Sequence, residues 1–160
     1  MLNRRTFAGS AIAALAAVLA APAVANPHAK GKFRVTKSAA QWKRQLGPER
    51  FRILRKAGTE RPYSSPLNDE KRFGTFVCAG CDNPLFSSLT KYDSRTGWPS
   101  FYRALEGAVG YARDTTLFMV RTEEHCARCG GHLGHVFDDG PEPTGKRHCI
   151  NGLSLTFKPA

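Results

Sequence analysis

Five cysteines carry most of the chemistry open to this sequence, and their spacing divides them into four and one. Cys78-Ala79-Gly80-Cys81 and Cys126-Ala127-Arg128-Cys129 are two Cys-x2-Cys units separated by 44 residues. Each unit suits a turn that aims two thiolates at one metal ion, and two such turns complete a closed tetrahedral four-sulfur shell. With no open position, the metal holds the fold together and does not meet substrate. One structural zinc per chain is the expected occupant. Iron is its rival, because the same shell suits iron-sulfur chemistry, and two disulfides are the alternative in an oxidising compartment.

The fifth cysteine, Cys149, stands in Arg147-His148-Cys149-Ile150-Asn151. On a strand, side chains alternate, so Arg147, Cys149 and Asn151 share a face. A guanidinium beside a thiol favours the thiolate and lowers its pKa from about 8.5, which makes Cys149 a candidate nucleophile. The amide of Asn151 can hold a substrate or a bound oxygen. A buried, inert thiol is the alternative reading of a lone cysteine. His132 and His135 follow the second Cys pair; with the metal shell already filled, acid-base work suits them better than ligation. Gly97-Trp98-Pro99-Ser100-Phe101 fixes an aromatic stretch in a loop and can present Trp98 as a wall, although core packing is the default for a tryptophan.

These residues need a scaffold, and the sequence points to a small α+β chain that is mainly β. Ser38-Ala39-Ala40-Gln41 has the form of a capping box, Trp42 and Leu46 lie on one helical face, and Gly47 can end the helix. Pro48 opens a second short helix with Phe51 and Leu54 on its apolar face and Gly58 as its cap. From Gly74 onward, short apolar runs are punctuated by Gly, Pro, Asp, Asn and Ser, the texture of an antiparallel β domain. The expected strands are Gly74 to Val77, Tyr111 to Asp114, Phe118 to Thr122, Leu133 to Phe137 and His148 to Phe157.

The first 25 residues read as an export leader. Arg4 and Arg5 precede Phe7, an uncharged Ala-rich run reaches Ala21, and Ala23-Val24-Ala25 offers a small-x-small cleavage pattern. The paired arginines suggest the twin-arginine route and a periplasmic destination. Gly9, Ser10 and Pro22 leave the run short of the roughly 20 strongly apolar residues of a membrane span, so no stable insertion is expected. Residues 26–37 then form an extended or mobile approach segment, and 38–160 a single domain. Removing the leader lowers the formal charge from +11 to +9. The basic residues spread through the N-terminal third and build no stripe beside the Cys pairs, which argues against a zinc-ribbon nucleic-acid binder. A thiol peroxidase is the rival within redox chemistry.

Taken together, these motifs resemble the B-type methionine sulfoxide reductases. The resemblance rests on Gly74 to Cys81, Lys91 to Phe101, Cys126 to Pro141 and Arg147 to Asn151, and spans roughly residues 40 to 158. It implies two antiparallel sheets with short N-terminal helices, the β-tent fold, and a structural zinc away from the catalytic pocket. The implied reaction is reduction of methionine (R)-sulfoxide, mainly in proteins and peptides, as oxidative-damage repair. Cys149 attacks the sulfoxide sulfur and becomes a sulfenic acid. His135 delivers the proton with His132 in support, Trp98 receives the terminal methyl, Asn151 orients the oxygen and Arg147 stabilises the thiolate. Many relatives carry a resolving cysteine where this chain has Thr96, and no cysteine replaces it. The resemblance therefore implies regeneration by an external thioredoxin-like thiol; a monomer is expected. His148 replaces a frequent Tyr or Phe, and Gly152 a frequent Ser.

Overall fold

The helical start follows from its cap. In the computed structural model, which describes residues 24–160, Ser38 Oγ accepts from the Gln41 amide and Gln41 Oε1 from the Ser38 amide, the reciprocal pairing of a capping box. The helical span α1 (Ala39–Lys56) is broken at Gly47, whose φ of 70° and ψ of 173° leave the helix region, and Pro48 restarts it. The two expected helices are thus two arms of one span. Its left-handed terminal residue is Ala57 (φ 49°), not Gly58. Gly58 serves another need: its amide donates to the Arg52 carbonyl, and a Cβ there would lie 2.9 Å from that oxygen. Trp42, Leu46, Ile53 and Leu54 are buried by α1.

Two antiparallel sheets follow, as the sequence implied. The smaller has the order β2-β1-β9, from β1 (Gly74–Cys78), β2 (Pro84–Ser87) and β9 (Leu155–Pro159). The larger runs β3-β4-β8-β7-β6-β5, from β3 (Lys91–Tyr92), β4 (Ser100–Phe101), β5 (Val109–Asp114), β6 (Arg121–Cys126), β7 (His132–Phe137) and β8 (Arg147–Ile150). Phe76, Phe86 and Phe101 pack between them, with Phe86 stacked on Phe101 at 4.3 Å and Phe76 edge-on to it at 5.0 Å.

Two expected strands are corrected. His148 to Phe157 is not one strand: β8 belongs to the larger sheet, β9 to the smaller, and a 3-10 turn at Gly152–Ser154 carries the chain across. The buried Glu60 carboxylate causes the break by accepting from the Gly152 and Leu153 amides, which are then lost to any ladder. Phe118 to Thr122 also fails as a strand. Thr116–Phe118 forms a turn, Leu117 to Val120 are exposed, and pairing begins at Arg121. The apolar run Leu117-Phe118-Met119-Val120 is a hairpin tip, and nothing in its composition distinguishes it from a buried strand.

The approach segment has no helix or strand and is docked on the domain. Val24, Asn26 and Val35 donate backbone hydrogen bonds to Lys37, Gly130 and Arg128. The expected leader lies outside the described residues as far as position 23. No helix among the described residues is long and apolar enough to cross a membrane.

At the centre of the larger sheet Gly134 faces Ile150, and a Cβ there would sit 2.0 Å from the Cys149 carbonyl oxygen. That neighbour is backbone and cannot swing away. Gly134→Ala is therefore expected to lower stability by about 1–3 kcal/mol through overpacking between β7 and β8. Urea unfolding checks this; an unchanged midpoint would refute it.

Candidate active site

The register of β7 against β8 sets His135 directly opposite Cys149 and Phe137 opposite Arg147. Opposed residues in an antiparallel pair project to the same face with Cβ atoms about 5 Å apart. His135 and Cys149 accordingly line one cavity of about 120 Å³, together with Trp98, Asn151, Thr59 and Arg121. The structure thus brings together four of the residues singled out in the sequence. Arg147 lies beside them, and His132 lies behind.

Arg147 is held in place by two hydrogen bonds to Asp139, both 2.8 Å, and by its guanidinium lying 4.4 Å over the Phe137 ring. Its charge and a hydroxyl contact from Thr96, 3.9 Å from the sulfur, favour the Cys149 thiolate. Burial opposes them and is the larger influence, so the Cys149 pKa is raised, not lowered. This corrects the expectation of an acidified thiol: the neighbouring cation moderates the cost of burial without reversing it.

Thr96 contacts the sulfur of Cys149 and belongs to a hydroxyl chain through Ser94 to Ser100. Asn151 is buried, with Nδ2 donating to the Leu133 carbonyl and Oδ1 accepting from the Glu60 amide. One Nδ2 hydrogen remains uncommitted in that pattern. The Glu60 carbonyl in turn accepts from the Trp98 indole at 3.2 Å, so the backbone of one residue holds both the amide and the aromatic wall.

The two histidines differ. His135 Nε2 pairs with Asp114 Oδ2 at 2.7 Å, and Nδ1 has no hydrogen-bond partner among the described residues. Burial lowers the His135 pKa although Asp114 pulls the other way, so the ring is neutral near pH 7. An ionised Asp114 accepts the Nε2 proton, leaving the Nδ1 lone pair as the basic position. His132 is almost fully buried, does not line the cavity, pairs through Nδ1 with Glu123 at 2.8 Å, and meets the His135 ring edge-on at 5.5 Å.

Sequence reasoning missed Asp114, Glu60 and Arg121. Asp114, at the end of β5, accepts from His135, Arg121 and Thr116. Burial pushes its pKa up, but the hydrogen bonds from Thr116 and His135 and the Arg121 charge outweigh that and hold it well below the carboxylate range. No spacing rule reveals a partner 21 residues away.

The four remaining cysteines meet at the ends of β1 and β6. Their sulfur atoms all lie within 4.8 Å of one another, with Cys81 to Cys126 at 3.6 Å and Cys78 to Cys129 at 3.8 Å. A tetrahedron with metal-sulfur bonds of about 2.3 Å has edges of about 3.8 Å, so the set fits one metal ion, whereas disulfide sulfurs are about 2.05 Å apart. Arg55, stacked 3.7 Å over Trp42, donates to Cys129 Sγ at 3.2 Å. None of the four lines the cavity that holds Cys149.

The SelR domain model matches residues 46–159. The chain belongs to the B-type methionine sulfoxide reductase family. Peptide methionine sulfoxide reductase MsrB of Agrobacterium fabrum is 55% identical over 127 residues, covering 79% of this chain and 94% of that protein. The proteins of the same name from Thiobacillus denitrificans and Methanosarcina barkeri are 56% and 54% identical, covering 77% and 78% of this chain and 94% and 88% of theirs. The SelR match begins at residue 46, so residues 24–37 precede it.

The raised Cys149 pKa makes this B-type reductase slow to alkylate at neutral pH, because only the thiolate reacts. Iodoacetamide labelling at Cys149, followed by mass, is expected to rise with a midpoint above about 8.5 and to move higher still in Arg147→Met. A midpoint below the ordinary thiol value would mean that the Arg147 charge outweighs burial.

Proposed function

We propose that the chain reduces methionine (R)-sulfoxide, chiefly in oxidised proteins and peptides, with Cys149 as nucleophile and His135 as proton carrier. The observation that carries this reading is the direct opposition of His135 and Cys149 across β7 and β8, inside a cavity walled by Trp98. Neither a thiol peroxidase nor a nucleic-acid binder is favoured by relatives whose names specify peptide methionine sulfoxide reduction.

In the proposed sequence, neutral His135 takes the Cys149 proton at Nδ1 when substrate fills the cavity. The thiolate attacks the sulfoxide sulfur to form a sulfur-sulfur bond, and the imidazolium gives the proton to the sulfoxide oxygen. The hydroxyl then passes from the methionine sulfur to the Cys149 sulfur while the sulfur-sulfur bond breaks with its electron pair staying on methionine, so Cys149 is left as a sulfenic acid and methionine leaves reduced by two electrons. Trp98 accepts the departing thioether through S···aromatic contact, and the free Nδ2 hydrogen of Asn151 orients the oxygen. Positioned proton transfer of this kind contributes about 10²- to 10⁴-fold. An external thiol then condenses with the sulfenic acid, releasing water, and a second thiol frees Cys149. With Thr96 beside the sulfur and the other four cysteines clustered apart, that thiol comes from another molecule. The leader expected from residues 1–25 supports a periplasmic, thioredoxin-like donor.

Cys78, Cys81, Cys126 and Cys129 would hold one zinc, which supplies a structural cross-link between the β1 and β6 ends and takes no part in turnover. Metal analysis of protein recovered from the export compartment is expected to give one zinc per chain; disulfides without metal would refute it.

The direct test supplies equal R and S epimers with a small dithiol. Loss of the R epimer alone, abolished by Cys149→Ser, is expected. One turnover without reductant is expected to add a single oxygen to Cys149. Turnover by Cys149→Ser, or survival of both epimers with the parent chain, would overturn the reading.

A further inference from the structure

Residues 26–37, which cleavage after Ala25 would leave in place, precede the SelR match, yet they reach the carboxylates that hold both histidines. Asn26 is 4% exposed. Its Nδ2 donates to Glu123 Oε1 at 2.9 Å and to the Gly130 carbonyl at 2.9 Å, while its backbone amide donates to the same carbonyl at 3.1 Å. Its Oδ1 accepts from the His28 and Ala29 amides, which turns the chain so that His28 Nε2 comes 3.8 Å from Asp114 Oδ1. Phe33 then packs against Gly130, where a Cβ would meet its ring at 2.6 Å, and edge-on against His125 at 5.9 Å.

Glu123 is fully buried, and its carboxylate has three side-chain donors, each from a different element or position: Asn26, His125 and His132. A buried carboxylate keeps a fixed orientation only while its lone pairs are satisfied. Glu123 Oε1 accepts from Asn26 and His132 together, so the strap residue and the imidazole define the position of one oxygen. His132 in turn bears edge-on on His135, and Glu123 lies directly opposite His135 in the β6-β7 register.

We infer that the N-terminal segment is a strap that completes the support of the active-site histidines, with Asn26 as a positioning residue acting through Glu123 and His132. This rests on the proposed role of His135. The strap adds a third layer behind the cavity: His135 faces substrate, His132 and Glu123 back it, and Asn26 fixes Glu123. It also makes the supporting layer continuous with the metal knuckle, because the Gly130 carbonyl that holds Asn26 follows Cys129 directly.

The test uses the full chain with Asn26→Asp, which keeps size and the Oδ1 acceptor but loses the donor, and Asn26→Ala, which adds no charge. Both are expected to lower kcat by about tenfold with KM within about twofold on a methionine (R)-sulfoxide peptide, as displacement of a supporting group does. Proton NMR is expected to show the hydrogen-bonded His132 Nδ1–H resonance displaced in both variants. Thermal melts and metal content separate loss of fold from loss of alignment. A lower melting temperature with kcat unchanged, a change in KM alone, or an unmoved His132 resonance would each overturn the inference. If the parent chain turns over no sulfoxide, the functional reading fails while the NMR comparison still decides whether Asn26 positions His132.

Discussion

Three carboxylates buried on one hairpin, Asp114 on β5 and Glu123 and Glu124 on β6, impose the constraint on which the larger sheet depends. A carboxylate out of water is costly unless paired and hydrogen-bonded. Here all five histidines of the chain lie within pairing distance of these three groups: His28 and His135 with Asp114, His125 and His132 with Glu123, His148 with Glu124. Two of the pairs span a strand. His135 on β7 reaches Asp114 on β5 across β6, and His148 on β8 reaches Glu124 on β6 across β7. A one-residue slip would send those side chains to opposite faces and strand the charges, so the pairs fix the register that sets His135 opposite Cys149. The environments still differ. Burial leaves the Glu124 pKa raised despite His148, while hydrogen bonds from His125 and His132 outweigh burial and lower that of Glu123.

The four-cysteine cluster solves a separate problem. Cys78 ends a strand of the smaller sheet and Cys126 a strand of the larger, so an ion held by both joins the sheets at one corner. Arg55 extends that corner into α1: it donates to the Cys129 sulfur and carbonyl and stacks on Trp42. A cation hydrogen-bonded to a thiolate offsets part of the negative charge of a four-sulfur shell, the outer-shell arrangement expected around a metal. The helix is thereby bound to the metal end of the molecule, and its continuation through Thr59 and Glu60 reaches the cavity.

What the sequence revealed and what it hid divide along the range of the interactions. Cys-x2-Cys units, the Ser38 cap and the alternation that places Arg147 beside Cys149 act over a few residues and are legible from spacing. The restart of α1 at Pro48 is legible for the same reason. Asp114, Glu60 and Asn26 are not, since each works through partners 21 to 97 residues away. The division of His148 to Phe157 into two strands was hidden for the same cause: the breaking agent is a glutamate some ninety residues earlier in the chain. The direction of the Cys149 pKa was hidden differently. The sequence contains the cation but not the depth of burial, and burial decides the sign.

The sequestering of the histidines also shapes the outside of the molecule. Side-chain exposure of the five runs from 1% to 16%, and each imidazole lies within reach of an internal carboxylate. The surface therefore presents no pair of accessible imidazoles to a stray cupric ion, the ion for which such nitrogen ligands have high affinity. A protein proposed to work through a thiol that can be over-oxidised thus lacks, on its own exterior, a histidine seat for a metal that would generate the oxidant.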